Sequence, residues 1–339
     1  VLIERAELTL GHVGLGRLTE VAVLGLFATA QSHALTKGTS GEGEGLRGIV
    51  DSDGIALYPT YYMTHLRAPP TALIDRFQVW DEVKVGVDVQ CFGGVLLDSQ
   101  YVLGGGEDPI EERPRWDGLD LPSMRASSMF VIDNHVGDPR PSRPKAGTTA
   151  ALRALPAPPV SMEAFRAARS TGAVASFGDG PLRPRDPIEY SVLSSRDAPA
   201  GRAMMFAKFT EIMLYAEREL LGRRLAPAFP ESLLDCAATL ERETYYFSNA
   251  RAGSVIDVHA RARVEPCSNS LLGAGSKRIS LGVLSFHHEL YERATNDLIA
   301  VARSRSVLAV PNGLQSAMRD AERMLHAHAA RDADAERRS

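Results

Sequence analysis

The sequence predicts an α+β fold in which one unit, an antiparallel sheet wrapped round a long central helix, occurs twice in tandem. Two observations carry this expectation. Two segments with helical spacing of large apolar residues are far greasier than a surface helix needs to be, and each is followed by a series of strand-like runs. The second series begins about 190 residues after the first, so the repeat is one of pattern.

The first helix is expected from Arg17 to Ala34, with Leu18, Val21, Leu24 and Ala28 on one stripe, Thr19 as N-cap and Gly38 as stop. Behind it lie strands at Ile55–Arg67, Glu82–Cys91 and Leu96–Leu103. In the second of these Val83, Val85, Val87 and Val89 alternate with polar or small residues, and Gly93–Gly94 marks a hairpin turn. The second helix is expected from Arg202 to Arg223, carried by Met205, Phe209, Ile212 and Met213. It is followed by strands at Glu241–Asn249, Ser254–Glu265, Lys277–Tyr291 and Leu298–Leu308. A long apolar helix followed by an antiparallel meander is the hot-dog pattern. Two copies predict a tandem double hot-dog, a monomer built like a dimer, or a homodimer of such chains.

This places an N-terminal domain at 1–135, a linker at 136–185, a C-terminal domain at 186–325 and a frayed tail at 326–339. Met129–Asp133 is expected as a last strand of the first half and Met162–Arg169 as a short helix. Asp138–Pro159, rich in proline and charge, is expected to run exposed.

Composition narrows the class. With 44% hydrophobic and 24% charged residues the 339-residue chain is globular, and a net charge of −4 gives no general attraction to nucleic acid or anionic lipid. Cys91, Cys236 and Cys267 form no metal-ligand or disulfide spacing. Glu4, Arg5 and Glu7 exclude a signal-peptide core from Val1–Leu10, and Val21–Ala30 is about half a bilayer span. A cytoplasmic location with no metal or redox cofactor is the expectation.

Four runs then fall in order: GLGRLTEVAVLGLF (Gly14–Phe27), LYPTYYMTHLR (Leu57–Arg67), RDAPAGRAMMFAKF (Arg196–Phe209) and RETYYFSNARAGSVIDV (Arg242–Val258). Together they resemble the double-hot-dog acyltransferase/decarboxylases of polyketide pathways, the leinamycin-pathway type, over roughly residues 10 to 310. The resemblance implies an enzyme that takes methylmalonyl-CoA, releases CO2 and passes the acyl group to the phosphopantetheine thiol of an acyl-carrier protein through an acylated tyrosine. The matching tyrosine is Tyr58, with Tyr61 and Tyr62 beside it. The chain departs from the family pattern at Pro199–Ala200 and at Met205, which leaves one expected working site, between the halves and built around Tyr58. Coenzyme A enters only as part of the substrate.

The chemistry asks for donors to a thioester oxygen that becomes an enolate. Gly14, Leu15 and Gly16 ahead of the first helix, and Gly201 ahead of the second, let backbone N–H groups approach a ligand. Tyr58 needs a base or cation, since a phenol titrates near pH 10. Regular alternation sets Tyr58, Thr60 and Tyr62 on one face and Tyr61, His65 and Arg67 on the other, with Pro59 a place for a bulge. Asp197 reads as a helix cap or a catalytic carboxylate, and Asn249 as a turn residue or substrate contact. His287–His288 reads as a core or surface pair, and His33 as a partner of its helix's C-terminus. Arg140, Arg143 and Lys145 form a basic cluster able to meet coenzyme A phosphates or an acidic carrier face. Two other readings stand beside the transferase. One is a dehydratase or thioesterase, the former lacking an HxxxGxxxxP-like start around His12. The other is a non-catalytic carrier-binding module.

Overall fold

The computed structural model describes residues 1–14, 17–38, 48–69, 76–108, 110, 120–132, 140–172, 174, 187–193, 204, 206–225, 236–265, 278–311, 320, 323, 324 and 327. In chain order the elements are β1 (Leu2–Glu7), β2 (Val13–Gly14), β3 (Arg17–Leu18), α1 (Glu20–Gly38), β4 (Leu57–Arg67), β5 (Glu82–Phe92), β6 (Leu96–Gly105) and β7 (Ser123–Ile132). Then follow β8 (Arg140–Pro141), β9 (Arg153–Ala154), α2 (Ser161–Thr171), β10 (Ile188–Ser191), α3 (Phe206–Leu225), β11 (Ala237–Tyr246), β12 (Val255–Glu265), β13 (Arg278–Glu292) and β14 (Asp297–Pro311).

One large sheet runs in the order β1-β5-β6-β7-β4-β11-β14-β13-β12-β10, with every neighbouring pair antiparallel. Outward from the central β4–β11 pair, both directions show the same succession. The strand after a long helix comes first, then the three later strands in reverse order, then the short strand that precedes the helix. Continuous backbone pairing through β4 and β11 removes the two edges that separate halves would expose.

Apolar spacing explains the helices. α1 buries Val23, Leu24, Phe27, Ala30 and Leu35, and α3 buries Phe209, Ile212, Met213, Ala216 and Leu221. The Thr19 hydroxyl accepts the Ala22 N–H at 3.2 Å, so the expected cap is present. α1 lies on β5 with contacts to β1 and β6, α3 lies on β12 and β10, and the two helices touch. The alternating valines of β5 all point into this core. Gly93 and Gly94 both take positive φ in the β5–β6 turn, which favours glycine at both places.

Three differences from the sequence reading have local causes. β7 starts at Ser123, well before Met129, because its first residues (SMRASS) are small and polar yet buried, so no apolar alternation marks them. β1 and β10 are edge strands, and the half-buried positions of β1 are Leu2, Glu4 and Ala6 while Ile3 is exposed, so no apolar alternation marks it. Part of the stretch expected to run exposed instead joins the first half: β8 pairs with β7, β9 pairs with β5, and Lys145 N–H donates to the Val50 carbonyl at 2.8 Å.

Candidate active site

Two bulges decide which side chains meet at the centre of the sheet. In β4 the register shifts between Tyr61 and Met63, and in β11 between Thr239 and Glu241. The extra residues are Tyr62 and Leu240. Because of the second bulge Thr239 and Arg242 both face the helices. Because of the first, His65 and Arg67 join the face of Met63, away from α1 and α3. The sequence reading had set them with Tyr61.

On the helix face the N-terminus of α1 crosses onto β11. Arg242 Nε donates to Glu20 Oε1 at 2.7 Å, and the Thr239 hydroxyl donates to Glu20 Oε2 at 2.8 Å. The same guanidinium reaches Glu217 of α3, with Nη1 2.9 Å from Oε1. Ser304 of β14 donates to that carboxylate at 2.8 Å, and His288 Nε2 of β13 lies 3.4 Å from it. Glu20, Glu217, Arg242 and His288 are all buried. Burial raises the Glu217 pKa above the ordinary carboxylate value, with Arg242 acting in the opposite direction. Burial, with Arg242 and His287 adding to it, holds His288 well below the ordinary imidazole value, so it is neutral. Arg242 stays charged between two carboxylates. Its Nη2 finds no acceptor among the described residues, leaving a buried charged donor available.

A related arrangement stands where α3 approaches β4. Phe206 packs on Tyr61 with centroids 4.4 Å apart, and Tyr61 donates to Gln31 of α1. Gln31 Nε2 donates to Ser99 Oγ at 3.2 Å, and the Tyr61 and Tyr101 hydroxyls lie 3.5 Å apart. Burial raises the pKa of both phenols, so they remain neutral. This second cluster carries polar groups but no charge.

The sequence-predicted residues are dispersed. Tyr58 and Thr60 are half-buried opposite Val131 and Met129. They occupy the face away from α1, as the core positions of Leu57 and Tyr61 on either side require. Tyr62 is buried on that same face, its hydroxyl 3.3 Å from Ser161 of α2 and its ring edge-on to Phe165. Burial raises its pKa, which suits a neutral phenol and not a phenolate nucleophile. Gly14 ends β2, opposite Arg17 in the small hairpin ahead of α1. Asn249 holds the backbone of Met204 just before α3, accepting its N–H at 3.0 Å and donating to its carbonyl at 3.1 Å. Leu15, Asp197, Pro199, Ala200, Gly201 and Met205 lie outside the described residues. Arg140, Arg143 and Lys145 are exposed, and His33 faces Glu4 at 3.3 Å. The His287–His288 pair, for which alternation expects one ring inward and a core or surface role, is buried at both positions. Glu20, Glu217, Arg242 and Gln31 were not singled out. The available signal was a polar residue inside an apolar stripe, as in Phe27–Gln31–Leu35 and Met213–Glu217–Leu221.

The fold has clear counterparts among solved structures. An acyl-ACP thioesterase from Bacteroides thetaiotaomicron superposes with a TM-score of 0.53 at 12% identity, covering 90% of this chain and 97% of that one. The 12:0-ACP thioesterase from Umbellularia californica superposes with a TM-score of 0.52 at 12% identity, covering 90% of this chain and 96% of that one. No protein-family model matches the sequence, and no curated protein matches it. At this identity the likeness defines the fold alone: a hot-dog-type antiparallel sheet with its two long helices on one face.

Proposed function

We propose that the chain is a tandem double hot-dog enzyme acting on acyl thioesters of coenzyme A or an acyl-carrier protein, and that hydrolysis is its reaction. The observation that carries this reading is the buried Glu217–His288–Arg242 cluster beside the N-terminus of α1. Thioester hydrolysis needs a base for water and a donor to the oxygen that becomes negative. Glu217, lifted toward neutrality by burial, takes the water proton as the carbonyl is attacked and returns it to the leaving thiolate. The uncommitted Arg242 Nη2 donates to the oxyanion, in surroundings where such a bond is strong. Neutral His288 packs 3.4 Å from the Glu217 carboxylate without a hydrogen bond to it and keeps that side of the cluster free of charge. A dehydratase would pair a histidine of one half with a carboxylate of the other, whereas His288 and Glu217 belong to the same half.

A second reading retains decarboxylation and transfer to a carrier protein in a polyketide pathway. What favours it is that Glu20 and Arg242 lie within two of the runs that carry the family resemblance, Gly14–Phe27 and Arg242–Val258. In that reaction the guanidinium would stabilise the enolate oxygen, whereas Tyr58, to which the resemblance gives the acyl group, lies on the other face of the sheet.

One experiment separates the readings. The protein is incubated with acyl-CoA and acyl-carrier thioesters, and separately with methylmalonyl-CoA and a phosphopantetheinylated carrier. Free thiol, CO2 and carrier mass are followed. Thiol release without carrier acylation supports hydrolysis, and CO2 release with a propionylated carrier supports the second reading. Silence in all channels leaves a non-catalytic module.

A further inference from the structure

A groove of about 330 Å³ opens on the face away from the helices, where β4 ends, β7 begins and β11 begins. Its charged rim is one row of the sheet: Arg67 pairs with Glu241, and Glu241 with Arg305, on three adjacent strands. Cross-strand partners share a face, so both guanidinium groups and the carboxylate rise from the same side. Glu241 is already engaged. It takes His65 Nε2 at 2.6 Å and Arg67 Nε at 3.3 Å, and these contacts hold its pKa below the ordinary value. The side chain of half-buried Arg305 makes no ion pair or hydrogen bond with any described residue. The row therefore holds two cations against one anion, one of the cations uncommitted.

Beyond this rim the groove is walled by Leu121, Leu240, Ala68 and Pro69, with Ser123 as a polar member. Leu240 is the bulged residue of β11, and its neighbour Thr239 bonds Glu20 on the opposite side of the strand. The Ala68 N–H donates to the Leu240 carbonyl at 2.7 Å and joins the strand ends there. The groove is thus one strand away from the proposed reacting centre, at the end of the sheet where a flexible arm can turn the corner.

Resting on the thioester reading, we infer that this groove binds the phosphate of a 4′-phosphopantetheine arm, with Arg67 and Arg305 as its ligands. The two Cα atoms are two strand spacings apart, about 10 Å, a gap that two arginine side chains close over a single phosphate. Guanidinium forks match phosphate oxygens, and the leucine walls suit the arm's dimethyl carbon. The same arm is presented by coenzyme A and by a holo-carrier protein.

The test is titration calorimetry with phosphopantetheine and with pantetheine, which lacks only the phosphate, followed by coenzyme A, holo-carrier and apo-carrier. Phosphopantetheine is expected to bind about tenfold or more tightly than pantetheine. Arg305→Gln and Arg67→Gln abolish that preference without lowering the melting temperature, while Arg166→Gln, at an exposed position outside the groove, retains it. Equal affinity for the two arms, or a preference that survives Arg305→Gln, overturns the site. Binding of coenzyme A alone, or of holo-carrier alone, supports it and names the source of the arm. A preference in a protein that turns over no thioester supports the groove while the enzymatic reading fails. Turnover with no preference does the reverse.

Discussion

Gln31 and Glu217 stand at the same depth in α1 and α3, the same number of residues beyond the first residue of each helix. Each is buried, and each is flanked one turn before and after by core residues: Phe27 and Leu35 in one case, Met213 and Leu221 in the other. Gln31 meets the neutral phenol of Tyr61, whereas Glu217 meets Arg242 and His288. The two long helices thus offer equivalent positions of opposite chemical character. On the hydrolysis reading, acid–base chemistry falls to the one with the carboxylate.

Glu217→Gln keeps the side chain's shape and removes its basicity. Thioester turnover is expected to fall by about 100-fold or more, the usual contribution of a positioned general base, with circular dichroism and gel filtration unchanged. Activity within a few-fold of the parent would reduce Glu217 to a structural partner of Arg242.

Arg242 ties both long helices to β11 through two buried carboxylates. Arg242→Met strands Glu20 and Glu217 without a cation and is expected to cost about 3–5 kcal/mol in urea unfolding. Adding Glu20→Gln and Glu217→Gln removes the orphaned charges and should recover most of that loss. A triple variant no more stable than the single one would show that lost packing, and not uncompensated charge, dominates.

Much of the fold was legible in the sequence because its cause is local. The greasy stripes of α1 and α3, the valines of β5 and the glycine pair at Gly93–Gly94 each announce their element. Register was not legible. Nothing in Tyr61–Tyr62–Met63 or Thr239–Leu240–Glu241 marks a bulge, yet the two bulges decide that Arg242 turns inward and His65 outward. The site was harder still, since Glu20, Glu217, Arg242 and His288 come from four elements brought together by pairing across the sheet. A single glutamate in a helix has many uses, and only the tertiary contact selects one.

The bulge also bears on Tyr58, which stands across the sheet from the Glu217 cluster. Tyr58→Phe is expected to leave hydrolysis within about twofold, as for an ordinary surface-facing substitution. Tyr61→Phe, which severs the bond to Gln31, is expected to cost about 1–2 kcal/mol of stability. Steady-state kinetics and urea unfolding on both variants check this. Abolished turnover in Tyr58→Phe, or an acyl adduct found on Tyr58 by mass spectrometry, would instead support the transfer reading.

The pH dependence of stability follows from His288 and Glu217 acting in opposite directions. His288 in the folded protein titrates well below the ordinary value of 6.5. Between 6.5 and that lower value the unfolded chain binds the extra proton, so stability present above pH 6.5 is lost as the pH falls. Glu217 is raised above 4.5, so between 4.5 and its raised value the folded protein holds the extra proton and gains stability on acidification. Replacing the imidazole in His288→Gln removes the first contribution and leaves the second. The variant should therefore lose less stability than the parent between pH 7.5 and 5.5, the difference approaching about 1.4 kcal/mol per pH unit below 6.5. Urea midpoints at closely spaced pH values measure it. Parallel stability curves for parent and variant would mean that His288 accepts a proton inside the fold, and the neutral imidazole beside Glu217 would have to be abandoned.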